Sequence, residues 1–209
     1  MFENNLIAGA AGQAAGFYPY SINQSLRFND DDSAYLSRTP ATAGNRKTWT
    51  WSGWVKRGNL GSNQGIFTAR DNSANDFFYI AFSSGDSISI NDVDSSSDIT
   101  LLNTEAVFRD PSSWYHIVVV IDTTQASSTE RIKLWVNGQR FTSFTGNILP
   151  PLNFDGLVNS SSVLHRIGHF QDTSRYLDGY MAEINFIDGQ ALDPTSFGEF
   201  KSGVWVAKR

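Results

Sequence analysis

The chain has 209 residues, 40% of them hydrophobic and 13% aromatic, with six Trp, fifteen Phe and a formal charge of −5 from 16 basic and 21 acidic side chains. That apolar content suits one large packed β domain and excludes global disorder, while the acidic balance and the lack of a basic stripe exclude phosphate-driven binding to nucleic acid and argue against docking on an anionic membrane. Cysteine is absent, so disulfides, thiolate metal sites and a cysteine nucleophile are excluded as well.

Residues 1–23 differ from the rest. Gly9, Gly12 and Gly16 interrupt the apolar run from Leu6, each costing a helix about 1 kcal/mol relative to Ala, and Pro19 favours extended chain. The segment reads either as a solvated tail or as an extended arm that orders on docking, with Phe2, Leu6, Ile7, Phe17, Tyr18 and Tyr20 as anchors. Glu3 stands where a leader peptide carries positive charge, and no run reaches the roughly 18–20 apolar residues that cross a bilayer, so neither a leader nor membrane insertion is expected.

From Gln24 to about residue 200, short apolar runs are separated by Gly, Asn, Asp and Ser clusters, the pattern of an all-β chain. Expected strands include Leu26–Phe28, Ala34–Leu36, Lys47–Arg57, Ile66–Ala69, Phe77–Phe82, Ile88–Ile90 and Tyr115–Ile121. Further strands are expected at Ile132–Val136, Val163–Ile167 and around Gly179–Ile187. Trp49, Trp51 and Val55 share one face of the third of these, with Trp54 on the other. Residues 117–121 are apolar on both faces, as in a covered central strand. Asn137-Gly138 supplies the positive-φ pair of a type I′ turn, and Gly58–Gly61 reads as a hairpin turn. Residues 201–209 form a last strand or tail, expected to pair with the N-terminal strand or with another chain; a bare edge there favours a homo-oligomer.

Four segments in order resemble one family: Ser25–Phe28 with Tyr35-Leu36; Trp49–Lys56; Trp114-Tyr115-His116 paired with Val136-Asn137-Gly138; and Leu177–Leu192, reading LDGYMAEINFIDGQAL. Residues 24–200 are thereby similar to laminin-G-like, concanavalin A-like jelly-roll domains. The resemblance implies a two-sheet antiparallel β-sandwich of six or seven strands per sheet. It is nearest to members found in phage virions, in tail-fibre and capsid-decoration proteins. It therefore implies a non-enzymatic adhesion or decoration role on the particle, with residues 1–23 as an arm that docks on other virion proteins, and assembly in the host cytoplasm. Ala182 departs from the family, where many members carry an aspartate.

The fold also hosts glucanases, lectins and Ca²⁺ sites. Retaining glycosidases need two carboxyl groups about 5 Å apart, and the glucanase branch takes both from one strand; here the positions after Glu183 are Asn185 and Ile187, so Glu183 reads as a structural residue and no catalytic residue is expected. His116 reads as a buried imidazole, and His165 and His169 lack the acidic partner of a zinc site. No cofactor is expected. Ca²⁺ at the rim, with Asp71 or Asp172 as ligands, is the weaker alternative to aspartates that close turns. A cell-surface glycan would need exposed rings beside polar groups. Trp135, out of phase with Ile132, Leu134 and Val136, reads as such a ring or as packing in a second layer, and Arg70, Asn72, Arg175 and Tyr176 are expected at the same rim. A soluble Ca²⁺-dependent lectin is the alternative reading.

Overall fold

A computed structural model describes residues 20–71, 75–170 and 174–208. The described residues form fifteen strands: β1 (Leu26–Phe28), β2 (Leu36–Arg38), β3 (Thr48–Arg57), β4 (Gln64–Arg70), β5 (Phe77–Phe82), β6 (Ser87–Asp94), β7 (Ser97–Val107), β8 (Tyr115–Asp122), β9 (Ile132–Val136), β10 (Gln139–Phe141), β11 (Phe144–Ile148), β12 (Leu164–Ile167), β13 (Gly179–Asp188), β14 (Gly198–Lys201) and β15 (Val204–Ala207). A front sheet runs β1-β13-β3-β8-β9-β10 and a back sheet β11-β7-β6-β5-β4-β12-β2, all neighbours antiparallel. This is the expected two-sheet sandwich. Apolar side chains at alternate positions meet between the sheets because successive residues of a strand point to opposite faces. Trp49 and Trp51 of the front sheet thus pack on Phe67 and Phe78 of the back sheet, Trp49 edge-on to Phe78 at 5.4 Å.

The turn at Asn137 (φ +49°) and Gly138 (φ +73°) joins β9 to β10 as its sequence predicts. Gly179 (φ +152°) lets β13 press on β3, where a Cβ would collide with the Lys56 carbonyl oxygen. Three expectations are corrected. Gly58–Gly61 is no hairpin: β3 and β4 lie in different sheets, so this segment crosses the edge of the sandwich. The second strand starts at Leu36 rather than Ala34. The C-terminal strand β15 pairs with β14, not with the N-terminal strand. That ribbon covers the outer side of β8, which explains why all eight residues of β8 are buried. Of the N-terminal arm, residues 1–19, with Phe2, Leu6, Ile7, Phe17 and Tyr18, lie outside the described residues; Tyr20 is described and its hydroxyl donates to Glu183 Oε1 at 2.8 Å. Among the described residues no helix is long and apolar enough to cross a membrane.

One ionic cluster pins the crossover. Arg57 is inside the core, its side chain fully buried, with Asp86 Oδ1 3.0 Å from Nη2, its Nη1 donating to the Phe108 carbonyl at 2.7 Å and its guanidinium 4.3 Å from the Phe82 ring. Asp86 also accepts from Gly61 N–H at 2.8 Å and from Arg109 Nε at 2.9 Å. Burial pushes the Asp86 carboxyl up, but those donors outweigh it and hold it below its usual 3.8. Breaking a buried pair strands a charge. Asp86→Ala is therefore expected to lower urea-unfolding stability at pH 7 by about 3–5 kcal/mol, and the apolar pair Arg57→Met/Asp86→Leu to recover most of it. Because the folded carboxyl is the stronger acid, the wild type retains this contribution above about pH 4 and loses it on acidification below that value.

Candidate functional site: an aromatic face on the back sheet

Alternation in β5 sends Phe78, Ile80 and Phe82 into the core and leaves Phe77 and Tyr79 on the outer face of the back sheet. The loop joining β12 to β13 folds onto that face. Leu177 N–H donates to Gly168 O at 2.9 Å, Phe170 N–H to Arg175 O at 3.0 Å, and His169 pairs with Tyr176. The loop is tied to β4 by Gly65 N–H to Arg175 O at 3.2 Å and by Thr68 Oγ1 to His169 O at 3.0 Å. Residue 65 must be glycine, because a Cβ there would collide with the backbone of His169 and Phe170.

The result is two sets of rings. Phe77 and Tyr79 stack at 6.0 Å, and Tyr79 meets Phe170 at 4.3 Å. His169 and Tyr176 stack at 4.0 Å with planes 4° apart, and Tyr35, 44% exposed, lies 5.2 Å from His169. Guanidinium groups cap them: Arg175 is 4.6 Å from the Phe170 ring centroid and Arg166 5.9 Å from that of Tyr35. Arg70 is opposite Phe77 in register. Asn91 is opposite Tyr79; its Nδ2 donates to Asp98 Oδ1 at 3.1 Å while its buried Oδ1 has no partner. Asn103 and Ser89 pair one step further along.

Of the residues expected at a ligand rim, Arg70, Arg175 and Tyr176 come together here, and Asn72 lies outside the described residues. Trp135 does not join them. It is in the opposite sheet, 9% exposed, in a small cluster with Val118, Val120 and Phe197, so the platform reading of Trp135 is replaced by second-layer packing. Tyr35, Phe77, Tyr79 and Phe170 were not foreseen. The signal available for two of them was the off-phase pair Phe77 and Tyr79 in an otherwise core-directed strand.

The outer face of the front sheet carries the groups that resemble catalytic ones. A groove of about 480 Å³ is bounded by Tyr20, Trp54, Trp114 and Trp205, and a neighbouring hollow of about 310 Å³ by Ser52, His116, Glu183 and Asn185. His116 is buried between Trp54 and Trp205. Trp205 Nε1–H donates to His116 Nδ1 at 3.0 Å, so the ring proton sits on Nε2 and points at Ser52 Oγ, 2.9 Å away. An imidazole in this tautomer has no lone pair facing the serine and cannot deprotonate it. Glu183, at φ +49° in the bulge of β13, accepts from Tyr20, and Asn185 Nδ2 donates to its carbonyl. The most perturbed carboxyl, Asp92, is enclosed beneath residues 150–158 beside a void of only about 10 Å³. Burial first, then the Asp94 carboxylate, pushes it up to about 7.

Several described loop carboxylates are engaged in turns and caps: Asp30 with Asp31 N–H and Asn59, Asp76 with Ser95 N–H, and Asp110 with Ser112 and Ser113. Among the described residues no three His, Cys, Asp or Glu are grouped to hold a metal ion. Asp172 lies outside the described residues. Asp71 N–H donates to Asp76 O at 3.3 Å.

Two facing antiparallel sheets with this connectivity define a jelly-roll sandwich of the laminin-G and lectin type. The chain belongs to the concanavalin A-like lectin/glucanases superfamily, whose profile matches residues 29–196. No curated protein matches it in sequence. Among solved structures it is similar to domain 4 of AbnA, a GH43 extracellular arabinanase from Geobacillus stearothermophilus, in complex with arabinotriose (TM-score 0.60, 16% identity, 86% of this chain and 77% of that one). It is also similar to mouse laminin alpha1 chain domains LG4-5 (0.59, 13%, 85% and 45%) and to the CBM40 of Ruminococcus gnavus IT-sialidase bound to alpha2,3 sialyllactose (0.53, 13%, 77% and 95%). At these identities the likeness is one of fold.

Two buried groups give the pH dependence a testable shape. Burial lowers His116 to about 4 from 6.5, so between those values only the unfolded chain takes up its proton and stability rises with pH. Asp92 holds its proton in the folded state up to about 7 against 3.8 unfolded, so over that range stability falls with pH. Each slope approaches about 1.4 kcal/mol per pH unit, and the two oppose each other. The difference in unfolding free energy between wild type and His116→Gln is expected to grow from pH 4 to 6.5, and that between wild type and Asp92→Asn to shrink from pH 4 to 7. Flat difference profiles would refute both assignments.

Proposed function

We propose that the chain is a non-catalytic glycan-binding sandwich that reads its ligand on the outer face of the back sheet. The observation that carries this is the pair of ring sets, Tyr35 with His169 and Tyr176 and Phe77 with Tyr79 and Phe170, beside Arg70, Arg166, Arg175 and the unmatched side-chain oxygen of Asn91. Pyranose rings present apolar C–H faces and polar hydroxyl edges, so rings for stacking beside amide and guanidinium groups for hydroxyls are the matching surface. The similar structures solved with arabinotriose and with sialyllactose support this reading.

A non-enzymatic role is supported by the front-sheet geometry. The serine facing His116 lacks a base, Asp92 has no space for a substrate beside it, and Glu183 has no second carboxylate at the alternate positions of its strand. We further propose that the module serves adhesion on a phage virion, as a capsid-decoration or tail-fibre component assembled in the host cytoplasm. On this reading residues 1–23 dock on other virion proteins and the back sheet faces a host-surface glycan. This setting rests on the sequence resemblance to phage domains.

A glycan array with the intact chain tests the binding reading. Wild type is expected to bind a defined subset of glycans with chelator present. Tyr176→Ala and Tyr79→Ala, both at partly exposed positions, are expected to weaken binding by about tenfold, equivalent to ~1.4 kcal/mol, with unchanged unfolding transitions. Full affinity in both variants, or binding only with added Ca²⁺, would overturn the assignment.

A further inference from the structure

At one edge of the sandwich β13 runs on past the three-residue β1 and faces β12 and β2. A cleft of about 240 Å³ opens there between the sheets, walled by Trp51, Phe67, Ile167, Ile184 and Phe186. The bulge at Glu183 helps form this wall, since the extra residue in β13 lets Ile184 pack against the core beside the cleft. The volume is below the roughly 300–1,000 Å³ of drug-sized sites, so the matching ligand is fragment-sized.

The polar groups of the cleft sort by whether they are matched. Asn159 N–H donates to His165 Nε2 at 2.9 Å, which places the His165 proton on Nδ1, facing Val163 O at 2.9 Å. The Asn159 side chain donates to Asp188 Oδ1 at 2.7 Å. Two N–H donors are left. Trp51 Nε1 is buried with no partner, and Arg38, opposite His165 in register at the mouth, makes no ion pair among the described residues. Arg166, at the alternate position, carries its guanidinium to the outer face beside Tyr35, and no described Asp or Glu lines the cleft. A buried donor without an acceptor costs about 1–3 kcal/mol, which a ligand bringing acceptors would relieve, and a guanidinium matches a carboxylate in two-point geometry.

We propose that this cleft binds a small amphipathic carboxylate, with its apolar body against Trp51, Phe67 and Phe186 and its carboxylate toward Arg38. The site lies between the sheets, on the opposite side of the back sheet from the glycan face, and it stands or falls independently of the glycan assignment.

Calorimetric titration of the intact chain with octanoate, octanol and octylamine tests the proposal. Saturable octanoate binding is expected, with octanol at least tenfold weaker and octylamine silent. Arg38→Gln, at an exposed position, is expected to weaken octanoate at least tenfold and leave octanol unchanged. Ile184→Trp, which fills the cleft, is expected to abolish octanoate binding. No saturable octanoate binding, an affinity unmoved by Arg38→Gln, or octylamine binding as tightly as octanoate would overturn it.

Discussion

The backbone of His169 and Phe170 rests directly on the backbone of Gly65, and the functional surface of the back sheet is built on that contact. No side chain fits between them, so residues 168–170 can lie flat on β4 and present Phe170 to Tyr79 and His169 to Tyr176. Backbone hydrogen bonds from Gly65 N–H to Arg175 O and from Gly168 N–H to Ile66 O, with the Thr68 hydroxyl donating to His169 O, then hold the segment there. Any Cβ at residue 65 would lift the loop and separate the rings that the sheet and loop contribute. The aromatic surface is thus a tertiary construction in which a glycine in one strand positions side chains that are about a hundred residues away in sequence.

The two sheets treat their outer faces differently. The front sheet covers β8 with the β14–β15 ribbon, so that Trp205, His116 and Ser52 become a buried hydrogen-bonded line, and Val118, Val120 and Trp135 a second small core. Burial there keeps His116 neutral and fixes its tautomer as a packing element. On the back sheet, described residues of the segment between β12 and β13 pack over the outer face and leave Tyr35, Phe77, Tyr79 and Tyr176 at least partly open. A surface of partly exposed rings on a rigid sheet is suited to recognition, because little side-chain order is lost on binding. Beneath both faces, the Arg57–Asp86–Arg109 cluster fixes the path by which the chain passes from one sheet to the other.

Much of the architecture was legible in the residues. The apolar run 117–121 marked a central strand, Phe77–Phe82 coincides with β5, and Asn137-Gly138 marked its turn. The longest strand, β7, was not foreseen, because Ser97–Val107 mixes Asp, Thr and Asn with adjacent Leu101 and Leu102 and shows neither alternation nor an apolar run. The site was legible only in part. Arg70, Arg175 and Tyr176 were read as loop residues able to reach a ligand, but period-2 alternation says which face a side chain takes and nothing about what covers it. Trp135 shows this: of its two readings, an exposed ring and second-layer packing, the second holds because its cover includes Phe197, some sixty residues later. The close approach at Gly65 and the unmatched donors at Trp51 and Arg166 are likewise products of packing between distant segments.

The most direct test of where recognition occurs is an amide and side-chain NMR titration of the isotope-labelled chain with its strongest array ligand. Shift changes concentrated at Tyr79, Asn91, Arg175 and Tyr176, with the indole N–H of Trp135 and Trp205 unmoved, are the predicted result. Changes concentrated instead at Trp54, Trp114 and Trp205 would place the ligand in the front-sheet groove and contradict the account.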